Sequence, residues 1–193
     1  MYPKAFNDLI QAFRSLPGVG AKTAERYAFK ALDWDNDKLE LFLEALKASK
    51  TQIHRCKTCG NLCEGETCAI WQDSTRDHGT ICVVINPKDI AAIESMEEYN
   101  GVYHVLNGTI NTQKGILPED LNISTLLERV DDNIKEIILA TDPTMEGETT
   151  ALYLEKLLSD RVSVTRLAYG IPMGGHLDYT DTLTLLKAFQ GRK

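Results

Sequence analysis

The sequence of 193 residues is 43% hydrophobic and 25% charged, with a formal net charge of −7. This composition is typical of a globular protein and argues against a chain that is basic over its whole surface, so any nucleic-acid contact must come from a local patch. No stretch approaches the roughly 20 apolar residues of a membrane span, and the first residues lack the pattern of a signal peptide. We therefore expect a cytoplasmic protein with no membrane partner.

The amino-terminal segment predicts a basic helical hairpin. Apolar residues recur at spacings of three and four over residues 2–16 and again after residue 21, with the turn PGVG between the two runs. Two helices joined by so short a turn form a hairpin. Residues 1–30 contain five lysines and arginines against two acidic residues, which makes this the electropositive end of an acidic chain.

The turn of this hairpin is the first candidate site, within the motif LPGVGAKTAER. Gly18 and Gly20 would leave backbone N–H groups open at a helix start, a geometry that accepts a phosphate oxygen without reading bases. Lys22 and Arg26 are four residues apart and so share one helix face, from which both could reach the same DNA backbone. The alternative is a plain hairpin whose glycines only make the turn and whose cations are solvated.

A third helix is predicted over residues 36–52, and a cysteine cluster follows it. In a reducing compartment, four cysteines within thirteen positions indicate a metal site before disulfides. The CxxCG spacing is typical of a zinc knuckle, and four thiolates would close a structural tetrahedral Zn²⁺ site. The four candidate ligands are Cys56, Cys59, Cys63 and Cys68.

The cysteine spacing does not determine which residue is the fourth ligand of this site. A second CxxC pair would need cysteine at position 71, where the sequence has Trp71. Cys63 could take its place from a loop that turns back, and the alternatives are a site with three thiolates or none. Cys82 lies in an apolar run and is expected to be a buried small hydrophobic residue.

The later part of the chain predicts an α/β fold. Continuous apolar runs at 80–85, 102–106, 136–141 and 162–170 predict strands, and helical segments separate them. Buried strands that alternate with helices imply a parallel sheet.

An acidic cluster follows the third of these strands. Asp142, Glu146 and Glu148 lie just beyond its carboxyl end, the usual place for ligand sites in open α/β sheets, and could hold Mg²⁺. The same acids could instead decorate the first turn of a helix, where the helix dipole favours them.

The motifs together resemble the RecR family of bacterial recombination mediators over almost the whole chain. They are LPGVGAKTAER, CKTCG, VVINPKD, YHVLNGTINTQKGILPEDL, ATDPTMEGETTALYL and RLAYGIPMGGHLDYTDTLTLLKAFQGR. The resemblance implies four regions: a helix-hairpin-helix DNA-binding region at 1–53, a four-cysteine zinc finger at 54–73, a Toprim domain at 79–172, and a Walker-like tail with oligomer contacts at 173–193.

The resemblance also implies a biological role. Family members form dimers and tetrameric rings that admit double- or single-stranded DNA. They act with RecO and RecF to load RecA recombinase onto gapped DNA coated with single-strand-binding protein, which implies a nucleoid-associated location. The carboxylates of Asp142, Glu146 and Glu148 would then contact the partner protein.

Two positions depart from the family pattern. Trp71 stands where a zinc cysteine is expected, and Ile85 stands where a glutamate is usual. Toprim enzymes use that glutamate and a later DxD pair to position Mg²⁺ and move protons, but here the pair reads Asp142 and Thr144. The tail segment PMGG lacks the GK[ST] ending of a phosphate-binding P-loop. We therefore expect a non-catalytic mediator without Mg²⁺; the alternative is a Mg²⁺-dependent nuclease or primase.

Overall fold

The computed structural model describes residues 2–192, which fall into two compact units with the boundary between Ile53 and His54. The first unit has three helices, α1 (Lys4–Arg14), α2 (Ala21–Leu32) and α3 (Asn36–Gln52). The limits of α3 are those predicted from the sequence. Its start is capped by Asp35, whose carboxylate accepts a hydrogen bond from the backbone N–H of Lys38 at 2.8 Å.

Helices α1 and α2 form the predicted hairpin because small residues let them approach closely. Ala24 and Ala28 of α2 are fully buried, and Phe6 of α1 is buried with them. The Phe6 ring lies 4.7 Å from the Phe29 ring and 5.1 Å from the Tyr2 ring, measured between centroids. An aromatic cluster thus holds the open end of the hairpin, away from the turn.

The second unit begins with a small cysteine-rich module. It contains the antiparallel strands β1 (His54–Arg55) and β2 (Leu62–Cys63), followed by the short helix α4 (Ala69–Gln72).

A four-stranded parallel sheet follows, as the sequence predicts. Its strands in chain order are β3 (Asp77–Val84), β4 (Gly101–Val105), β5 (Glu136–Ala140) and β6 (Ser163–Arg166), and their order across the sheet is β4-β3-β5-β6. The connecting helices are α5 (Pro87–Glu94), α6 (Ser124–Arg129) and α7 (Met145–Leu158). The tail carries α8 (Thr182–Gln190), and three 3₁₀ turns lie at Thr112–Lys114, Pro118–Asp120 and Leu177–Tyr179.

Both faces of the sheet are covered, which explains the continuous apolar runs. Along β3, Ile81 and Val83 point into the larger core, which α6 and α7 complete. Cys82 and Val84 point into the smaller core with Ile90 of α5. Cys82 is buried, as expected of a small hydrophobic residue, and its burial raises the pKa of the thiol to about 12.

The last predicted strand is shorter than expected. The sequence pattern extended it over 162–170, whereas β6 ends at Arg166. Its neighbour β5 ends at Ala140, and the backbone N–H of Leu167 makes the last hydrogen bond, to the Leu139 carbonyl at 3.3 Å. Beyond this point β6 has no strand to pair with.

Within residues 2–192, no helix is both long enough and apolar enough to cross a membrane.

We predict that Leu154→Ala lowers the free energy of unfolding by about 2 to 5 kcal/mol, because Leu154 of α7 is fully buried in the larger core. Leu152→Ala on the same helix is the control. That side chain is 57% exposed, and its loss should cost no more than about 0.5 kcal/mol. Urea unfolding followed by circular dichroism measures both, and equal losses would contradict the assignment of the core.

Candidate functional site

The turn of the amino-terminal hairpin exposes its backbone. Gly18 has φ +77°, a left-handed conformation that favours glycine, whereas Gly20 is extended and lies at the N-cap of α2. No side chain caps this helix start. A Cβ atom at either glycine would meet no atom within 4 Å. The first N–H groups of α2 therefore have no side-chain cap, and no bulky neighbour crowds the two glycines, the geometry expected for a phosphate contact.

The two predicted cations lie beside this turn. Lys22 and Arg26 are exposed on α2, and neither takes part in an ion pair within the described chain. The carboxylate of Glu25, which lies between them in sequence, accepts a hydrogen bond from the Tyr2 hydroxyl at 2.6 Å. The positive charge of this helix face is therefore available to a ligand.

Three of the four predicted metal ligands come together in the second unit. The sulfur atoms of Cys56, Cys59 and Cys68 all lie within 4.8 Å of one another, and the three residues are 2 to 3% exposed. The Cys68 N–H points at the Cys56 sulfur at 3.4 Å. The Cys59 and Cys68 sulfurs are 3.5 Å apart, and this hydrogen bond lowers the pKa of Cys68. Converging buried sulfurs with a backbone N–H donor fit a thiolate-bound metal such as Zn²⁺.

The fourth predicted ligand, Cys63, stands at the edge of this group. Its side chain packs against the three cysteines but is partly exposed, and its sulfur lies outside the group of mutually close ligand atoms. The thiol instead donates a hydrogen bond to the Gly65 carbonyl at 2.9 Å.

Trp71, at the position where the family pattern has cysteine, also packs against the three buried thiols. Its ring centroid lies 4.7 Å from that of His78. Its indole has no metal-binding atom, so it can only wall the site.

The cysteine loop is joined to the parallel sheet at Gly60. The Val105 N–H of β4 donates to the Cys59 carbonyl at 2.7 Å. Gly60 has φ +75°, and a Cβ there would lie 2.8 Å from the Val105 carbonyl oxygen and 2.7 Å from Nδ2 of Asn122. Both the backbone conformation and the close approach require glycine, so the glycine of CxxCG serves the contact with the sheet as well as the turn.

Arg129 belongs to the surroundings of this site, and sequence reasoning missed it. Its Nη1 donates to the Tyr103 carbonyl at 2.7 Å and to Nδ1 of His104 at 3.1 Å. Its guanidinium carbon lies 4.8 Å from the Trp71 ring centroid. The Nε and Nη2 atoms are buried with no hydrogen-bond partner. Nothing in the segment LLERV distinguishes this arginine from an ordinary helix-terminal cation.

His104 contributes no charge to this environment. It is fully buried, and burial lowers its pKa to about 4. Its Nε2–H donates to the Asn122 carbonyl at 2.6 Å, while Nδ1 accepts from Arg129. The imidazole is therefore uncharged at neutral pH, and the positive charge here belongs to Arg129.

The predicted acidic cluster does not form a metal site in the described chain. Asp142 is exposed after β5, and Glu146 accepts a hydrogen bond from Nδ2 of Asn111 at 3.2 Å. Glu146 and Glu148 lie in the first turn of α7, the arrangement that the helix dipole favours. Among residues 2–192, the cysteines form the one group of three or more close metal-binding side chains.

Glu148 is held by internal partners. It accepts hydrogen bonds from the Tyr169 hydroxyl at 2.5 Å and from Nη2 of Arg166 at 2.7 Å. These contacts, with Tyr169 the stronger, lower the pKa of the Glu148 carboxyl and keep it ionised. Its charge is thus used within the fold.

The two positions that depart from the Toprim enzyme pattern have structural roles. Ile85, just after β3, is 5% exposed, and its carbonyl accepts from the Asn107 N–H at 3.0 Å. Thr144 caps α7, because its hydroxyl accepts from the Gly147 N–H at 3.1 Å. Neither side chain offers a carboxylate where the acidic centre would need one.

Comparison with known proteins agrees with this architecture. Residues 6–50 match the family described as RecR, helix-hairpin-helix, and residues 170–193 match RecR, C-terminal. Residues 79–168 match the Toprim domain. The sequence is 49% identical over 194 aligned positions to Recombination protein RecR of Natranaerobius thermophilus, covering all of this chain and 98% of that protein. The chain belongs to the RecR family.

The RecR matches cover some of the candidate sites. The RecR helix-hairpin-helix match contains the hairpin turn with Lys22 and Arg26, and the Toprim match contains the acidic residues after β5. The cysteine cluster lies between these two matches, at residues 56–68.

We predict that the purified protein contains about one zinc ion per chain and that Cys68→Ser removes it, because the substitution deletes a buried thiolate and a structural site contributes folding free energy. Elemental analysis and the thermal midpoint are the measurements. Cys82→Ala, which removes a cysteine outside the cluster, should leave the zinc content unchanged.

The variant Cys63→Ser distinguishes between a site with four thiolate ligands and a site with three. If Cys63 is a ligand, the variant should bind zinc more weakly and unfold at a lower temperature. Unchanged zinc affinity would remove Cys63 from the ligand set, and a wild-type protein without zinc would contradict the metal site itself.

Proposed function

We propose that this protein is a non-catalytic DNA clamp of recombinational DNA repair, which acts with RecO and RecF to load RecA recombinase onto gapped or single-stranded DNA. The observation that carries the proposal is the open hairpin turn with Lys22 and Arg26 beside it, in a chain of the RecR family. Its place of action would be the nucleoid in the cytoplasm.

The hairpin supports DNA binding without sequence preference. Gly18 and Gly20 leave the backbone N–H groups at the start of α2 open, and Lys22 and Arg26 add two charges on one face. Such groups contact phosphates, which are the same in every sequence and in both double and single strands. A local patch of this kind also suits a chain whose net charge is −7, since the rest of the surface would repel DNA.

The sheet supports binding without bond cleavage. The position of the first-strand glutamate is the buried Ile85, the second aspartate position is the helix cap Thr144, and Glu148 is engaged by Arg166. A Toprim centre needs several free carboxylates around Mg²⁺ to move a phosphoryl group. We therefore assign no Mg²⁺ to this protein.

The carboxyl ends of these strands are proposed as the surface that contacts the partner protein. Asp142 is exposed and Glu146 is partly exposed, so both carboxylates can meet a basic partner surface. Glu148 would support this surface from behind, through its contacts with Arg166 and Tyr169.

Self-association into dimers or a tetrameric ring is also part of the proposal. None of the residues of α3 is buried, and Leu41 and Leu46 are 68% and 54% exposed. In the tail helix α8, Leu183 and Phe189 are 64% and 66% exposed. Apolar side chains grouped on helices in this way favour contact with another protein surface.

The metal would be Zn²⁺ in a structural role. Cys56, Cys59 and Cys68 supply three thiolates, and Cys63, which already packs against them, is the proposed fourth ligand. Zn²⁺ would hold together a loop that has only two short strands of its own.

We predict that the double variant Lys22→Ala with Arg26→Ala binds both duplex and single-stranded DNA about tenfold or more weakly, because two phosphate contacts are lost. The slope of log affinity against log salt should become shallower by about two for duplex DNA, since each contact contributes about 0.9. Fluorescence anisotropy at several salt concentrations measures both quantities.

The matched control is Lys47→Ala with Lys50→Ala on α3, which removes the same charge from the same unit. It should leave the affinity nearly unchanged. If the two double variants bind equally well, the hairpin turn is not the DNA-binding site.

We predict that the protein leaves labelled DNA intact when incubated with Mg²⁺ or Mn²⁺, because the sheet edge lacks a set of converging carboxylates. Gel analysis of single-stranded, duplex and gapped substrates is the measurement. Cleavage that Asp142→Ala abolishes would instead establish the nuclease alternative, whereas cleavage that Asp142→Ala leaves unchanged would indicate a contaminant.

A further inference from the structure

Arg129 is a buried cation for which the fold provides no carboxylate. None of the ion pairs in the described chain includes it. Its Nη1 is used by the Tyr103 carbonyl and by the neutral imidazole of His104, and its Nε and Nη2 have no partner. Burying a charge without a counter-charge is strongly unfavourable, so a source of negative charge must lie close by.

The three buried cysteines, which a bound metal would hold as thiolates, are the candidate source. Arg129 and the cysteines share one neighbour, the indole of Trp71. Trp71 contacts both groups, because its side chain packs against the cysteine cluster and its ring lies 4.8 Å from the guanidinium carbon. Aromatic faces attract cations, most strongly away from water, so Trp71 holds the guanidinium while its own side chain packs against the cysteine cluster.

The charge of the buried part of the site matches that of Arg129. Zn²⁺ bound to three thiolates carries a net charge of −1, and one guanidinium neutralises it. A fourth thiolate from Cys63 would add its charge at a partly exposed position, where water screens it. Arg129 thus balances the part of the site that is buried.

We propose that Arg129, held against the indole of Trp71, is the counter-charge of the thiolate cluster and a positioning residue that strengthens its hold on the metal. The proposal rests on the zinc site proposed above. It gives Trp71 a role as well, because the residue that replaces the expected cysteine supplies no ligand but covers the cation that stabilises the remaining thiolates.

Zinc affinity, measured by competition with a chromophoric chelator, tests the proposal. Arg129→Gln should raise the zinc dissociation constant about tenfold or more, the usual effect of losing a group that supports metal ligands. Arg129→Lys keeps the charge and should lose clearly less affinity. The control Arg161→Gln removes an exposed arginine of the same unit, whose Nη2 donates to the Val130 carbonyl, and should leave zinc affinity unchanged.

The comparison of glutamine with lysine separates charge from packing. Equal losses in Arg129→Gln and Arg129→Lys would overturn the proposal, because they would show that shape and hydrogen bonding matter and charge does not. Wild-type zinc affinity in a folded Arg129→Gln protein would overturn it as well.

Trp71→Leu provides a second measurement if Arg129→Gln fails to fold. It removes the aromatic face but leaves Arg129 and its hydrogen bonds to Tyr103 and His104 in place. We expect a rise in the zinc dissociation constant of about threefold or more, and unchanged affinity would contradict the proposal. A wild-type protein that binds no zinc would contradict the zinc site and this inference together, whereas a zinc-loaded wild type with an unaffected Arg129→Gln variant would contradict this inference alone.

Discussion

The hydrogen bond from the Val105 N–H to the Cys59 carbonyl is the contact on which the arrangement of the second unit depends. Strand β4 lies at the edge of the sheet, and an edge strand presents N–H groups that need a partner. The cysteine loop supplies that partner at 2.7 Å. Because Gly60 approaches the same strand closely, the loop covers the edge and takes its own position from it.

This contact makes the cysteine site and the parallel sheet parts of one structure. Trp71 packs against both the cysteines and the larger core, and Arg129 links the end of α6 to β4 through the Tyr103 carbonyl. A metal bound to the thiolates would therefore stabilise the edge of the sheet as well as a small finger. Loss of the metal should lower the stability of the α/β fold, since the cysteine site and the sheet share side chains and hydrogen bonds.

At the carboxyl ends of the strands, the positions where Toprim enzymes carry acidic residues have structural contacts. Glu148 accepts hydrogen bonds from Arg166 of β6 and from Tyr169 just beyond it, and these contacts hold the segment that leads into the tail. Ile85 adds to the buried apolar surface and Thr144 begins a helix. In the proposed function, the exposed carboxylate of Asp142 contacts the partner protein and the cations of the amino-terminal hairpin contact DNA.

The features that depend on local spacing could be predicted without the structure. The hairpin, the limits of α3, the parallel α/β sheet and the convergence of Cys56, Cys59 and Cys68 were all predicted from periodicity, turn residues and cysteine spacing. These patterns act over a few residues, so they can be read without knowledge of the fold. The end of β6 was missed because a strand extends only as far as its neighbour, and that limit is set by a distant segment.

The contacts of Arg129, Trp71 and Glu148 depend on tertiary packing and could not be predicted. Arg129 lies 58 positions after Trp71 in the chain, yet its guanidinium lies against the Trp71 indole. Glu148 could have been a free metal ligand until the fold placed Arg166 and Tyr169 beside it. Charge compensation in a buried site depends on which side chains meet there, and no local pattern in the sequence records that meeting.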